Sequence, residues 1–188
     1  MDQSTLTTDT DTNVTKDSEV SLSYEEPKPS KKVDLKRHII EAISLNLTDI
    51  IKENFQNGNI IKKDKFYLSH IPSISLNDYI KRLVNHTNMN ISTLINAIIY
   101  IDTFCEKFNY SLCMNNVYLI LLSSCLISMK FNEDIGINLK NYAQIAGISL
   151  DNLINLEFAF FRNLCFDLFV KEDLYQTYYD YFSNYEIT

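Results

Sequence analysis

The sequence predicts an all-α fold, a helical bundle built around one buried helix. Residues 116–134 read NVYLILLSSCLISMKFNED, an apolar run that ends in a lysine, a phenylalanine and two acids. Spanning a bilayer takes about 20 mostly apolar residues, and this run has only about 13, with three serines among them. A helix that is apolar on every face needs neighbours on every face, so the run predicts the central rod of a bundle. No segment alternates like a strand, and only 3 Gly are available for hairpin turns.

The first predicted helix is amphipathic and runs from Asp34 to about Glu53, with apolar residues at three- and four-residue spacing. The turn residues QNGN, 56–59, end it. After a linker, Ser75 followed by Asp78 forms a start signal resembling a capping box. It predicts a second helix from Leu76 to about Asn88.

Local start and stop signals predict the helices of the second half. Ser, Asn and Gly stand where helices prefer their first and last residues, and the spacing between these signals fits short connections. The predicted helices are 92–108, the apolar rod from Asn115 or Asn116 to about Phe131, a short helix from Asn138 to Gly147, a long helix that begins at Ser149, and a tyrosine-rich helix after 170.

The charge balance restricts the partners. The formal net charge of −7 disfavours binding to nucleic acid, because such proteins need clustered Lys and Arg to displace counterions. One basic stretch, KPSKKVDLKR at 28–37, is either a solvated start of a helix or a localisation or docking signal.

The cysteines and the amino terminus indicate the compartment. The four cysteines stand singly in apolar surroundings without CxxC spacing, which predicts buried thiols in a reducing compartment. The chain does not begin like a secretory signal, because no basic stretch precedes an apolar one. We therefore expect a cytoplasmic or nuclear protein, or one found in both, that is not held in a membrane.

No motif predicts an active site. The three histidines are far apart, and the common hydrolase, zinc and nucleotide-binding motifs are missing. We expect neither an enzyme nor a protein with a metal, a cofactor or a small-molecule substrate.

Four stretches carry a resemblance to a known family. They are SHIPSISLNDYIKRLVNHT at 69–87, AIIYID at 97–102, SMKFNED at 128–134 and NYAQIAGISLDNLINLEFAFFRNLCFDLFV at 141–170. In this order and spacing they resemble the cyclin box of P-type cyclins, also called PHO-type or U-type, which are partner subunits of cyclin-dependent kinases. Thr103 departs from the pattern, because Arg usually follows the YID of that family.

The resemblance implies the cyclin fold, in which one box is a five-helix bundle around its third helix. We expect a disordered acidic tail at 1–30, a flanking helix and linker at 31–65, a single box at 66–170 and a carboxy-terminal helix at 171–188. The resemblance also places Arg82 and Asp102 as a buried salt bridge between the first two helices of the box.

The resemblance further implies a regulatory subunit that binds and activates a cyclin-dependent kinase. Lys130 and Glu157 would grip the mobile αC helix of the kinase, and the acids Glu133 and Asp134 would face basic residues of its activation segment and imitate a phosphate group. The residues expected to flank them are Phe131, Phe160 and Phe161. Two alternatives stay open: a helical scaffold that binds no kinase, and a transcription-related protein with a cyclin box.

Overall fold

A computed structural model describes residues 31–134 and 136–187, with side chains from Leu35 onward. The predicted disordered tail, residues 1–30, lies outside these ranges. Seven α-helices and no strand occur in the described part of the chain, as the sequence predicts. They are α1 (Lys31–Gln56), α2 (Leu76–His86), α3 (Ile91–Phe108), α4 (Val117–Asn132), α5 (Leu139–Ala146), α6 (Leu150–Asn163) and α7 (Glu172–Ser183).

Side-chain caps explain where three of the helices begin. The backbone N–H of Asp78 donates to the Ser75 hydroxyl at 3.1 Å, which satisfies one of the free donors in the first turn of α2. Asn138 and Ser149 accept in the same way from the third residue after them and start α5 and α6. Gly147 ends α5 in the left-handed conformation, with φ of 75°, which costs glycine little.

The third helix begins earlier than predicted. Asn90, two residues before the expected start at Ser92, is the N-cap of α3, and its own N–H donates to the Glu133 carboxylate at 2.9 Å. This contact joins residues 43 positions apart, so the local sequence pattern did not reveal it.

The core surrounds α4, which is buried from Val117 to Met129 and packs against α2, α3 and α6. Its serines do not interrupt the core, because their hydroxyls are satisfied. The Ser123 hydroxyl donates to the Leu119 carbonyl, and the Ser128 hydroxyl donates to the Thr93 carbonyl in α3, both at 2.7 Å. None of the described helices is long and apolar enough to cross a membrane.

The flanking helices belong to the same core as the five central helices. α1 packs on α2, and α7 packs on both α1 and α3. Ile39 and Ile43 of α1 and Phe182 of α7 are buried in one continuous cluster with the residues of α4. The Tyr178 hydroxyl of α7 donates to the Asp102 carboxylate of α3 at 2.7 Å.

The predicted buried salt bridge between Arg82 and Asp102 is wrong. Arg82 is exposed, and the ion pairs among the side chains that the structure describes are Lys52–Asp49 and Lys130–Glu157. The inward face of α2 is formed by Tyr79, Ile80, Leu83 and Val84. Helical periodicity turns Arg82 to the opposite side. Asp102 is instead held by Tyr178.

Candidate functional site

The centre of the candidate site is an ion pair between two helices. Lys130 lies in the last turn of α4 and Glu157 in the middle of α6, and the packing of these helices brings the two together. The Lys130 Nζ atom lies 2.5 Å from Glu157 Oε1. The side chains remain 38% and 19% exposed, respectively, so a partner could still reach both.

An apolar cavity of about 130 Å³ adjoins the ion pair. Apart from the pair itself, every lining residue is apolar: Ile127, Phe131, Phe161 and Leu168. The volume is well below the range of about 300–1,000 Å³ that is typical of small-molecule sites. The cavity therefore suits one side chain of a protein partner better than a metabolite.

Exposed phenylalanines extend this apolar surface. Phe131, which lines the cavity, is 57% exposed. Phe166 packs edge-to-face on Phe161, with ring centroids 4.9 Å apart, and is itself exposed on its other side. We define the docking surface as Lys130, Glu157, Phe131, Phe161, Phe166 and Leu168.

Two members of the docking surface were not predicted: Phe166 and Leu168. The turn after α6 presents them, and there Cys165 and Phe166 both adopt left-handed backbone conformations, with φ of 57° and 61°. Neither is a residue type that favours this conformation, so the turn has no local signal. The one available clue was the apolar stretch FDLF, 166–169, beyond the end of the helical pattern.

Comparison with known proteins identifies the family. The family model for cyclins matches residues 3–168, most of the chain. The chain belongs to the cyclin family. The family match covers α1 to α6, and so includes both helices that carry the ion pair.

The similar proteins are P-type and U-type cyclins, in agreement with the resemblance. Cyclin-U4-3 of Arabidopsis thaliana is 31% identical over 74% of this chain and 64% of its own length. The PHO85 cyclin-like protein psl1 of Schizosaccharomyces pombe is 25% identical, over 76% of this chain and 65% of its own length. Cyclin-P4-1 of Oryza sativa subsp. japonica is 33% identical over 57% of this chain and 51% of its own length. This cyclin therefore spans about half to two thirds of the length of these curated relatives.

The prediction that Phe160 belongs to the interface of this cyclin is wrong. Phe160 is fully buried, stacks on Phe104 with ring centroids 5.0 Å apart and meets Phe66 edge-on. It lies on the inward face of α6 with Leu153 and Leu156, because positions three or four residues apart share a face. Phe160 supports α6 from inside and cannot touch a docked protein.

The two acids after α4 have different environments in this cyclin. Glu133 is half-buried and accepts the Asn90 N–H, so it ties the end of α4 to the start of α3. That contact leaves it poorly placed to imitate a phosphate group. Asp134 is exposed. Its contact with a kinase activation segment stays a prediction.

The cysteines of this cyclin differ in their exposure. Burial raises the pKa of the Cys105 and Cys125 thiols to about 12, so both are protonated and unreactive at neutral pH. Cys165 is exposed, which corrects the expectation that all four cysteines are buried. Among residues 35–134 and 136–187, no three His, Cys, Asp or Glu side chains are grouped as a metal site would require.

Proposed function

We propose that this cyclin is the regulatory subunit of a cyclin-dependent protein kinase, that it binds the αC helix of the kinase through the docking surface, and that it does no chemistry itself. The observation that carries the proposal is the ion pair of Lys130 and Glu157, which remains accessible at the centre of an apolar surface. An exposed apolar patch of this kind is typical of a protein-binding site.

The chemistry of the pair suits the end of a helix. The Lys130 ammonium has three donors, of which the Glu157 carboxylate uses one, so two can reach the free carbonyls of a partner helix. The Glu157 carboxylate can accept further N–H donors from the partner. Because the phenylalanines around the pair would exclude water from the interface, these charged contacts would be stronger than on an open surface.

Activation then follows from differential affinity. A kinase is active when its αC helix is positioned so that the Lys–Glu pair of the ATP site is complete. A subunit that binds this arrangement more tightly than the inactive one shifts the population towards it. The cyclin would thus control an activity that belongs to its partner. Among the similar proteins, the name of the Schizosaccharomyces pombe relative, PHO85 cyclin-like protein, fits this class of function.

Alanine substitution of the ion pair tests the proposal. Polar anchors at the centre of an interface commonly contribute about 2 kcal/mol or more, so Lys130→Ala and Glu157→Ala should each weaken kinase binding about thirtyfold. Because partly exposed ion pairs contribute little to folding, thermal melting should stay close to that of the parent. Lys140→Ala, an exposed lysine in α5, is the matched control and should bind normally.

The assay is co-purification of kinase activity with the cyclin, measured beside melting curves of the same variants. If the folded double variant activates its kinase at parental concentrations, the docking surface lies elsewhere. If no kinase purifies with the parent, the helical-scaffold alternative replaces the proposal.

A further inference from the structure

A second concave surface, rich in positive charge, lies between α1 and α2. Its cavity of about 190 Å³ is lined by Lys36, Arg37 and Ile40 of α1 and by Lys81 and Asn85 of α2. We call these five residues the basic groove. Ile40 is buried and forms an apolar wall, whereas the other four residues offer N–H donors. Among the side chains that the structure describes, no carboxylate lines the groove.

This concentration of charge contrasts with the rest of the chain. The chain as a whole has a formal net charge of −7. Arg37 and Lys81 form no ion pair within 4.0 Å with any carboxylate among the described side chains. Glu41, one turn further along α1, is half-buried and outside the lining. Lys36 and Arg37 are thus 44 or more positions from Lys81 in the sequence, but the packing of α1 on α2 brings them to one concave site.

We infer that the basic groove binds a phosphorylated serine or threonine in an acidic segment of another protein. A phosphate group carries a charge of about −1.5 to −2 and three acceptor oxygens, which match a guanidinium, two ammonium groups and an amide. The groove is smaller than the usual site of a cofactor or metabolite, so it fits one phosphorylated side chain. Clusters of this kind are a recurrent means of phosphopeptide recognition.

The position of the groove suggests which protein supplies the phosphate. The Lys36 Nζ donates to the Met89 carbonyl at 3.4 Å, and the next residue, Asn90, donates to Glu133, which follows Lys130 by three positions. The groove and the docking surface therefore lie at the same end of the bundle. If the proposed function holds, a phosphoprotein in the groove is held beside the kinase, which raises its effective concentration there as a substrate.

Peptide binding to the full chain without kinase tests the inference. A short acidic peptide with one phosphoserine should bind at least tenfold more tightly than the same peptide without phosphate, measured by fluorescence anisotropy at about 0.15 M salt. Arg37→Gln/Lys81→Gln should lose at least tenfold in affinity. Lys107→Gln/Lys140→Gln, which removes two exposed lysines elsewhere, should retain parental affinity. Circular dichroism checks that both variants are folded.

Three results of the peptide-binding experiments would overturn the inference. Equal binding of both peptides would mean that the groove recognises acidity alone, and equal loss in the two double variants would mean that no specific site exists. If the phosphopeptide binds only after the acids of residues 1–30 are changed to Asn and Gln, the groove belongs to the chain's own acidic segment.

Kinase binding separates this inference from the proposed function. Arg37→Gln/Lys81→Gln should co-purify with kinase normally, and Lys130→Ala/Glu157→Ala should still bind the phosphopeptide. Loss of kinase from the groove variant would make the groove part of the kinase interface and refute the inference. Loss of phosphopeptide binding alone leaves the proposed function intact.

Discussion

At the scale of single residues, neighbours on one helix can have opposite roles. Phe160 and Phe161 are adjacent in α6, but about 100° of helical rotation separates them. Phe160 is sealed in the core against Phe104, whereas Phe161 lines the cavity of the docking surface. A sequence pattern that marks both as apolar does not say which one a partner can reach.

This difference predicts a separation of stability from binding. Phe160→Ala should lower the free energy of unfolding by about 3–5 kcal/mol, because it leaves a cavity in the core. Phe131→Ala, which removes an exposed ring of the docking surface, should change it by less than about 0.5 kcal/mol and still weaken kinase binding. Denaturant unfolding and kinase co-purification of the two variants decide this. A normal melt for Phe160→Ala would contradict its buried position.

The Asp102 carboxylate makes the stability depend on pH. Burial raises its pKa above the usual 3.8, and the Tyr178 hydroxyl opposes that effect. Since the folded-state pKa is higher than the unfolded-state pKa, the folded state binds more protons between them. The contribution of Asp102 to stability is therefore complete below about pH 3.8 and is lost as the pH rises through its folded-state pKa.

Asp102→Asn should abolish this dependence, because the amide has no charge but its oxygen can still accept from Tyr178. We expect the variant to be at least as stable as the parent at pH 7, and the parent to gain stability relative to it as the pH falls towards 4. Arg82→Ala is the control and should alter the free energy of unfolding by about 0.5 kcal/mol or less. Urea unfolding at several pH values measures both. If Asp102→Asn were less stable than the parent at pH 7 but not at lower pH, the carboxylate would have a stabilising cation nearby.

At the scale of helices, the central rod depends on small side chains where it meets its neighbours. Ser128 is fully buried in α4, and its hydroxyl bonds to the Thr93 carbonyl of α3. Ser124, one turn earlier, is also fully buried. A larger side chain at either position would push the adjoining helix away.

Ser128→Leu should therefore destabilise the bundle by about 1–3 kcal/mol through overpacking. This comes in addition to the loss of two hydrogen bonds, because the Ser128 hydroxyl donates to the Thr93 carbonyl and accepts from the Asn132 amide. Ser128→Ala separates the two effects, since it removes the hydrogen bonds without adding volume. Thermal melting of both variants gives the comparison. Equal destabilisation would show that the hydrogen bonds, not the tight helix contact, are what the serine provides.

Helices were predictable from the sequence where their signals are local. Asn138, Gly147 and Ser149 mark the bounds of α5 and α6 through bonds to residues three or four positions away. The apolar run of α4 is also a local signal, and it predicted a helix with neighbours on every side. The start of α3 and the partner of Asp102 involve contacts distant in sequence. The left-handed turn at Cys165 and Phe166 is formed by residue types that do not favour this conformation. Spacing alone could not give the Lys130–Glu157 pair, whose members are 27 positions apart; the family resemblance supplied it.

At the scale of the whole molecule, the expected division into a box at 66–170 and two flanking segments does not coincide with a division of the core. The cluster of buried side chains runs without a break from Ile39 in α1 to Phe182 in α7. α7 contacts both α1 and α3, so it connects the first helix to the central bundle.

The continuous core predicts which truncations fold. A chain of residues 66–170 loses the large buried side chains of α1, which are Ile39, Ile40, Ile43, Leu47 and Ile51. At about 1.5–3 kcal/mol each, they contribute about 10 kcal/mol, comparable with the whole stability of a typical domain. We therefore expect this fragment to aggregate or to lack a cooperative thermal transition.

A chain of residues 31–188 keeps every helix of the described structure and omits a segment poor in large apolar residues. It should melt cooperatively near the parental temperature and bind kinase within tenfold of the parent. Calorimetry of the two truncated chains measures the difference in their thermal transitions. A cooperative transition of the 66–170 fragment at the parental temperature would show that the box folds independently of α1 and α7.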